Sequence, residues 1–142
     1  LESVMYRLQT EDFQLEMLAK VYEEDMSSPV NTSLILSVSS DGFSASAGMD
    51  IDVRDLSEFA MGLNELYETL EGTVRLEEPY SDGYMEFSAD SLGHIRIMGC
   101  VQKSTAYGYM QKLLFGNECD QTYLKNFAKE LHADFAKYAK DR

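Results

Sequence analysis

Two histidines, His94 and His132, and two cysteines, Cys100 and Cys119, have the widest chemical reach in this sequence. A thiol with an imidazole beside it would be a nucleophile with its base. His94 and Cys100 share strand parity, but six residues of extended chain separate them by about 20 Å. They do not meet on one strand. No spacing joins Cys119 to His132. Cys-x-x-Cys, His-x-x-x-His and His-Glu-x-x-His runs are missing, so no metal site is expected. The glycines spell neither Gly-x-Gly-x-x-Gly nor Gly-x-x-x-x-Gly-Lys-Ser/Thr, so no phosphate loop is expected. The expectation is a protein with no catalytic residue and no cofactor. The alternative is a small-molecule-binding domain or an enzyme whose pocket, between sheet and helices, gathers Asp90, His94 and Arg96. A structural or assembly subunit would instead expose a large apolar patch.

The carboxylates form the larger chemical population. Twenty-five Asp and Glu face 12 Lys and Arg, a net charge of −13. A nucleic-acid binder carries a basic footprint and a polybasic membrane binder a basic face, so neither class is expected. Residues 1–71 carry −12 and residues 72–142 only −1. The excess includes the run Glu23-Glu24-Asp25, Asp50 at a strand end, and Asp55, Glu58, Glu65 and Glu68 on one helix. A charged helix face is most simply a solvated face. The functional reading is a docking surface that steers a cationic partner by long-range attraction.

Periodicity supplies the elements that position these groups. Phe13, Leu15, Met17, Ala19 and Val21 alternate with polar residues, as do Leu34, Leu36 and Val38. Asp41-Gly42 then reads as a hairpin turn into a strand over Phe43, Ala45, Ala47, Met49 and Ile51. Glu23 to Asn31, with Pro29, reads as a loop. The period next changes to 3.6. Leu56, Phe59, Ala60, Leu63, Leu66, Tyr67 and Leu70 form one stripe, with Asp52 as N-cap and Gly72 as the C′ residue. Strands return at Val74–Leu76, Tyr84–Ala89, Ile95–Val101 and Tyr107–Phe115. A last helix follows Asp120, with Leu124, Phe127, Ala128, Leu131, Phe135 and Tyr138 on its apolar face. The order strands–helix–strands–helix predicts an α+β fold, a largely antiparallel sheet packed with two amphipathic helices. A shift of 68 residues superposes Gly48 on Gly116, Asp52 on Asp120, Leu56 on Leu124, Phe59 on Phe127 and Leu63 on Leu131. Shared helical spacing is enough to produce that match, and an internal duplication would produce it too.

The chain of 142 residues fits one domain on length. No apolar run approaches the roughly 20 residues of a spanning helix. Two cysteines make no disulfide framework, and no leader pattern opens the sequence, so the expected compartment is the cytoplasm. Leu1 to Val4 are set aside as a candidate non-native start.

The hairpin Asp41-Gly42-Phe43-Ser44-Ala45-Ser46, the helix ending Leu66-Tyr67…Leu70-Glu71-Gly72, Gly93-His94-Ile95, and Asp120-Gln121-Thr122-Tyr123-Leu124 stand in one order. That order, over about residues 5–135, resembles the WapI-type immunity proteins of bacterial polymorphic-toxin systems. The resemblance implies a non-catalytic cytoplasmic protein that binds and neutralises the toxin domain of a cognate effector. In the namesake system that toxin looks like a tRNA-directed nuclease, whose cleft tends to be basic because it must attract phosphate. The motif residues Gly72, Gly93, His94, Asp120, Gln121 and Thr122 are then fold-holding turns and caps, Asp120 capping its helix and His94 anchoring its turn.

Overall fold

The computed structural model describes residues 3–141, with side chains to residue 139. The strands divide into two four-stranded antiparallel sheets, in orders β1-β2-β3-β4 and β5-β6-β7-β8. The first holds β1 (Val4–Gln9), β2 (Phe13–Val21), β3 (Thr32–Ser40) and β4 (Phe43–Ile51). The second holds β5 (Thr73–Glu77), β6 (Tyr84–Ala89), β7 (His94–Ser104) and β8 (Met110–Asp120). Helix α1 (Val53–Thr69) follows the first sheet and α2 (Gln121–Phe135) follows the second. The α+β expectation therefore holds, with two sheets where the sequence pattern could not separate them.

The alternation read in the sequence is the buried face of each strand. Leu15, Met17, Ala19, Leu34, Leu36, Val38, Met49 and Ile51 are buried in the first sheet, and Leu76, Met85, Phe87, Ile95 and Ile97 in the second. Both sheets and both helices feed one apolar cluster. The two helices pack on each other, and each also packs on the first strand of the other half, α1 on β5 and α2 on β1. At the centre, Phe87 of β6 lies 5.9 Å from Phe59 of α1 and 6.0 Å from Phe127 of α2, ring centre to ring centre.

Several boundaries differ from the expectations above. Val4, set aside with the first residues, begins β1, whose Tyr6 and Leu8 are buried; Leu1 and Glu2 lie outside the described residues. The expected strand Tyr107–Phe115 begins at Met110. Thr105 to Tyr109 is instead a turn, closed by the Thr105 amide on the Tyr109 carbonyl (2.7 Å) and the Gly108 amide on the Thr105 carbonyl (3.0 Å), with Gly108 at φ +87°. Gly72 does not end α1. Leu70 does, at φ 56° with its amide on the Leu66 carbonyl, and its partly buried side chain packs against the core. Gly72 (φ +93°) turns the chain into β5 two residues later. Asp120 occupies the N-cap position of α2 but accepts no capping bond. That helix start is held instead by Gln121, whose amide reaches the Gly93 carbonyl (2.9 Å) and whose Nε2 reaches the Tyr67 carbonyl (2.6 Å).

Asp52 does cap α1, accepting from the Arg54 amide at 2.9 Å. Buried Asn31 completes that corner: its Oδ1 accepts from the Val53 amide (2.8 Å) and its Nδ2 donates to the Ser28 carbonyl (3.0 Å). One amide side chain thus ties the β2–β3 connection to the first turn of α1.

Two substitutions test this packing. Phe87→Ala should cost about 3–5 kcal/mol, as a large ring leaves a hole between two helices. Gly99→Ala should cost about 1–3 kcal/mol, because its Cβ would overlap the Phe115 ring and lie 2.7 Å from the Tyr84 carbonyl oxygen. Urea unfolding measures both, and an unchanged midpoint in either would overturn the corresponding contact.

Candidate partner-binding surface

The acidic residues singled out in the sequence separate into three places. Glu23, Glu24 and Asp25 are exposed on a 3₁₀ turn, with Glu23 accepting from the Tyr138 hydroxyl at 2.7 Å. Glu65 and Glu68 are exposed near the end of α1, where Glu68 meets Asn64 Nδ2 (3.0 Å) and Lys129 Nζ (3.2 Å). That ammonium and its hydrogen bond lower the Glu68 pKa.

The third place is the most shaped. Asp55 and Glu58 extend from the first two turns of α1 toward β5 and line a groove of about 500 Å³. Phe59 contributes from α1, and the opposite wall is all of β5, Thr73 to Glu77, followed by Glu78 and Pro79. Asp50 lies next to it: its backbone amide donates to Glu78 Oε2 at 2.7 Å, while its carboxylate accepts from Ser33 Oγ at 3.3 Å. Ser81 Oγ donates to the other Glu78 oxygen at 2.6 Å. Among the described residues, four carboxylates, Asp55, Glu58, Glu77 and Glu78, line the groove with one guanidinium, Arg75. That cation is occupied: it pairs with Glu77 and with Glu86 and stacks over the Tyr84 ring at 3.8 Å.

Glu77 and Glu78 were missed in the sequence because the charge was counted by halves. They fall in the nearly neutral half, and folding brings them against the acidic one. The doublet Glu77-Glu78 before Pro79, at the end of a strand, was the available signal.

Of the groups considered for catalysis, His94 and Cys119 line one open surface pocket together with Glu118 and Asp120, while Cys100 lies further along β7. Cys119 is buried, which pushes its thiol up to about 11, and burial also raises Cys100; neither supplies thiolate at neutral pH. Asp90 and His94 do meet, in the exposed β6–β7 turn. Asp90 Oδ1 accepts from the Leu92 and His94 amides (2.9 and 3.0 Å), and its Oδ2 lies 3.0 Å from His94 Nδ1. Arg96 is exposed opposite Glu118 in the strand register. Gly93, at φ +91°, gives this turn its left-handed residue, and Thr122 is exposed in the first turn of α2.

The charged groups that line the groove between α1 and β5 are therefore mainly carboxylates. The sequence matches the immunity protein WapI-like family over residues 9–139. The chain belongs to that family. No curated protein matches it. Among the described residues no helix is long and apolar enough to cross a membrane.

The Asp90–His94 pair has a definite pH signature. The hydrogen bond and charge of Asp90, then Glu118 and Asp120, raise the His94 pKa. The pair contributes fully below the unfolded histidine value of about 6.5 and fades as pH rises through the raised one. An NMR titration should place the His94 midpoint above about 6.5, and Asp90→Asn should bring it down. A midpoint that Asp90→Asn leaves in place would sink this assignment.

Proposed function

We propose that this protein binds the toxic domain of a cognate effector and neutralises it without catalysis, presenting acidic surface to a basic face of that domain. The observation that carries the reading is the family match, which spans nearly the whole chain and supports an immunity role. The charge of −13 adds direction to it. A domain that must attract phosphate carries a basic cleft, so a nuclease is the toxin class we favour. Opposite charge brings such partners together quickly and in a preferred orientation. The proposed compartment is the cytoplasm, where an incoming toxin would act.

The acidic groups we assign to this contact are the 3₁₀ turn at Glu23–Asp25, the groove around Asp55 and Glu58 with Asp50 beside it, and the exposed end of α1 at Glu65 and Glu68. Fold-holding is the role we assign to Gly72, Gly93, His94, Asp120, Gln121 and Thr122, in keeping with their places at turns and helix ends.

The test is co-expression with the effector toxin domain encoded beside this gene. Growth arrest should be relieved, and the purified pair should form a complex. Its affinity should fall about tenfold or more between ~50 and ~200 mM salt, chiefly through a slower association rate. Unrelieved arrest with no complex would remove the immunity reading. A complex indifferent to salt would leave immunity standing and remove the electrostatic part.

A further inference from the structure

β5 is an outer strand of its sheet, and its unpaired edge faces the groove. The Ala89 amide donates to the Gly72 carbonyl (3.2 Å) and the Glu78 amide to the Gly83 carbonyl (2.9 Å). Between these two bonds the antiparallel register runs from Thr73 opposite Ser88 to Glu77 opposite Tyr84. Hydrogen-bonded and non-bonded pairs alternate in such a ladder. Val74 and Leu76 therefore spend their peptide groups on β6, whereas Thr73, Arg75 and Glu77 turn theirs away from it. Among the described residues no backbone group of another element takes up those outward groups. That every residue of β5 lines the groove, irrespective of parity, follows from its wall being a strand edge rather than a sheet face.

We infer that this groove takes an extended, Lys- or Arg-bearing segment of the partner as a fifth strand beside β5. The inference rests on the partner-binding reading above and names where and how the contact is made. Three outward residues offer three donors and three acceptors, the set an added antiparallel strand needs. Successive side chains of such a strand point to opposite sides. Those on one side reach toward Asp55 and Glu58 of α1, and those on the other toward Glu77. Basic residues suit the side that faces Asp55 and Glu58; on the other, Glu77 and Arg75 pair with each other, with Glu86 and the Tyr84 ring also holding Arg75, so that this guanidinium does not oppose the segment. Close packing of Val74 on Gly62 limits the reach toward the C-terminal part of α1: a Cβ at Gly62 would sit 2.8 Å from Val74 Cγ2. The segment is therefore confined beside the first turns of the helix.

A short synthetic peptide of alternating Lys and Val is the probe, with a control of identical charge methylated on alternate backbone nitrogens. The parent should bind, and the control should bind about tenfold more weakly or worse, because it cannot extend the ladder. Thr73→Pro removes only an outward amide, a change an edge strand tolerates. It should weaken peptide binding about tenfold with little change in melting temperature, and Glu77→Lys should do the same by repulsion. In the toxin complex, the Thr73, Arg75 and Glu77 amides should become slow to exchange. Equal binding of the two peptides, or full binding by both variants, would overturn the inference. A toxin complex that forms with those amides still exchanging fast would also overturn it, and would leave the immunity reading intact. Peptide addition at β5 with no toxin complex would do the reverse.

Discussion

Phe87 is the residue on which the rest of the packing converges. It comes from the second sheet, but its two aromatic neighbours come from different helices, Phe59 and Phe127. Those two positions are separated by the same 68 residues that superpose the helices in sequence. Each helix crosses to the first strand of the other half, so each half completes the other's apolar surface. A sheet with one apolar face and no helix over it would leave that face in water, at about 25 cal/mol for each Å². The reciprocal exchange removes that cost for both halves at once, and it places α1 beside β5.

That placement creates the surface feature of the molecule. α1 is amphipathic, so burying Leu56, Phe59, Ala60 and Leu63 obliges Asp55 and Glu58 to lie at the margin of the contact. β5 has the same division, with Leu76 buried and Arg75 and Glu77 exposed. Two half-buried elements meeting edge to edge bring their polar margins together. The acidic groove is thus a consequence of how the core closes. Carboxylates within it repel one another, and the structure offsets part of this by bonding. Glu78 accepts from the Asp50 amide and from Ser81, while Asp52 below it is held by Arg54 and Asn31. Burial alone would raise the Asp52 pKa, but those hydrogen bonds and the Arg54 charge outweigh it and lower it.

Most of the elements were legible because their signals are local. Period-two alternation marked β2, β3 and β4, Asp41-Gly42 marked their hairpin, and Asp52 marked the start of α1. β1 was obscured because Val4, Met5, Tyr6 and Leu8 are apolar on both faces, and because the chain start was discounted. The strand boundary at Met110 was obscured because Tyr107 and Tyr109 are good strand residues that serve here in a turn. Two sheets could not be told from one, since strand pairing is not written in periodicity. The shared element order of the two halves was hidden by loops. The β2–β3 connection spans residues 22–31 and the β6–β7 connection only 90–93, which breaks the offset across β3 and β7. It is recovered by β4 and β8, where Gly48 and Gly116 again match. The groove was half legible: Asp55 and Glu58 were visible as a helix face, but their meeting with Glu77 and Glu78 depends on the fold.

The two halves share an element order, yet the groove lies at β5 rather than at β1. Both are outer first strands crossed by the other half's helix, and their residues correspond at the same offset: Tyr6 with Val74, Leu8 with Leu76. Leu8 and Leu76 are both buried and do the same work. Tyr6 and Val74 do not. The Tyr6 ring packs 5.7 Å from Phe135, and its hydroxyl donates to Asp134 at 2.6 Å, binding β1 to α2 along the ring's full length. Burial, and then the Asp134 hydrogen bond, raise that hydroxyl's pKa well above the ordinary tyrosine value, so it stays a donor. Val74 has no comparable reach, and against it α1 offers Gly62. The groove lies where the first two turns of α1 face the edge of β5. A large side chain at one of these positions and a small one at the other thus distinguish a helix–strand contact bridged by Tyr6 from one bordered by an acidic groove.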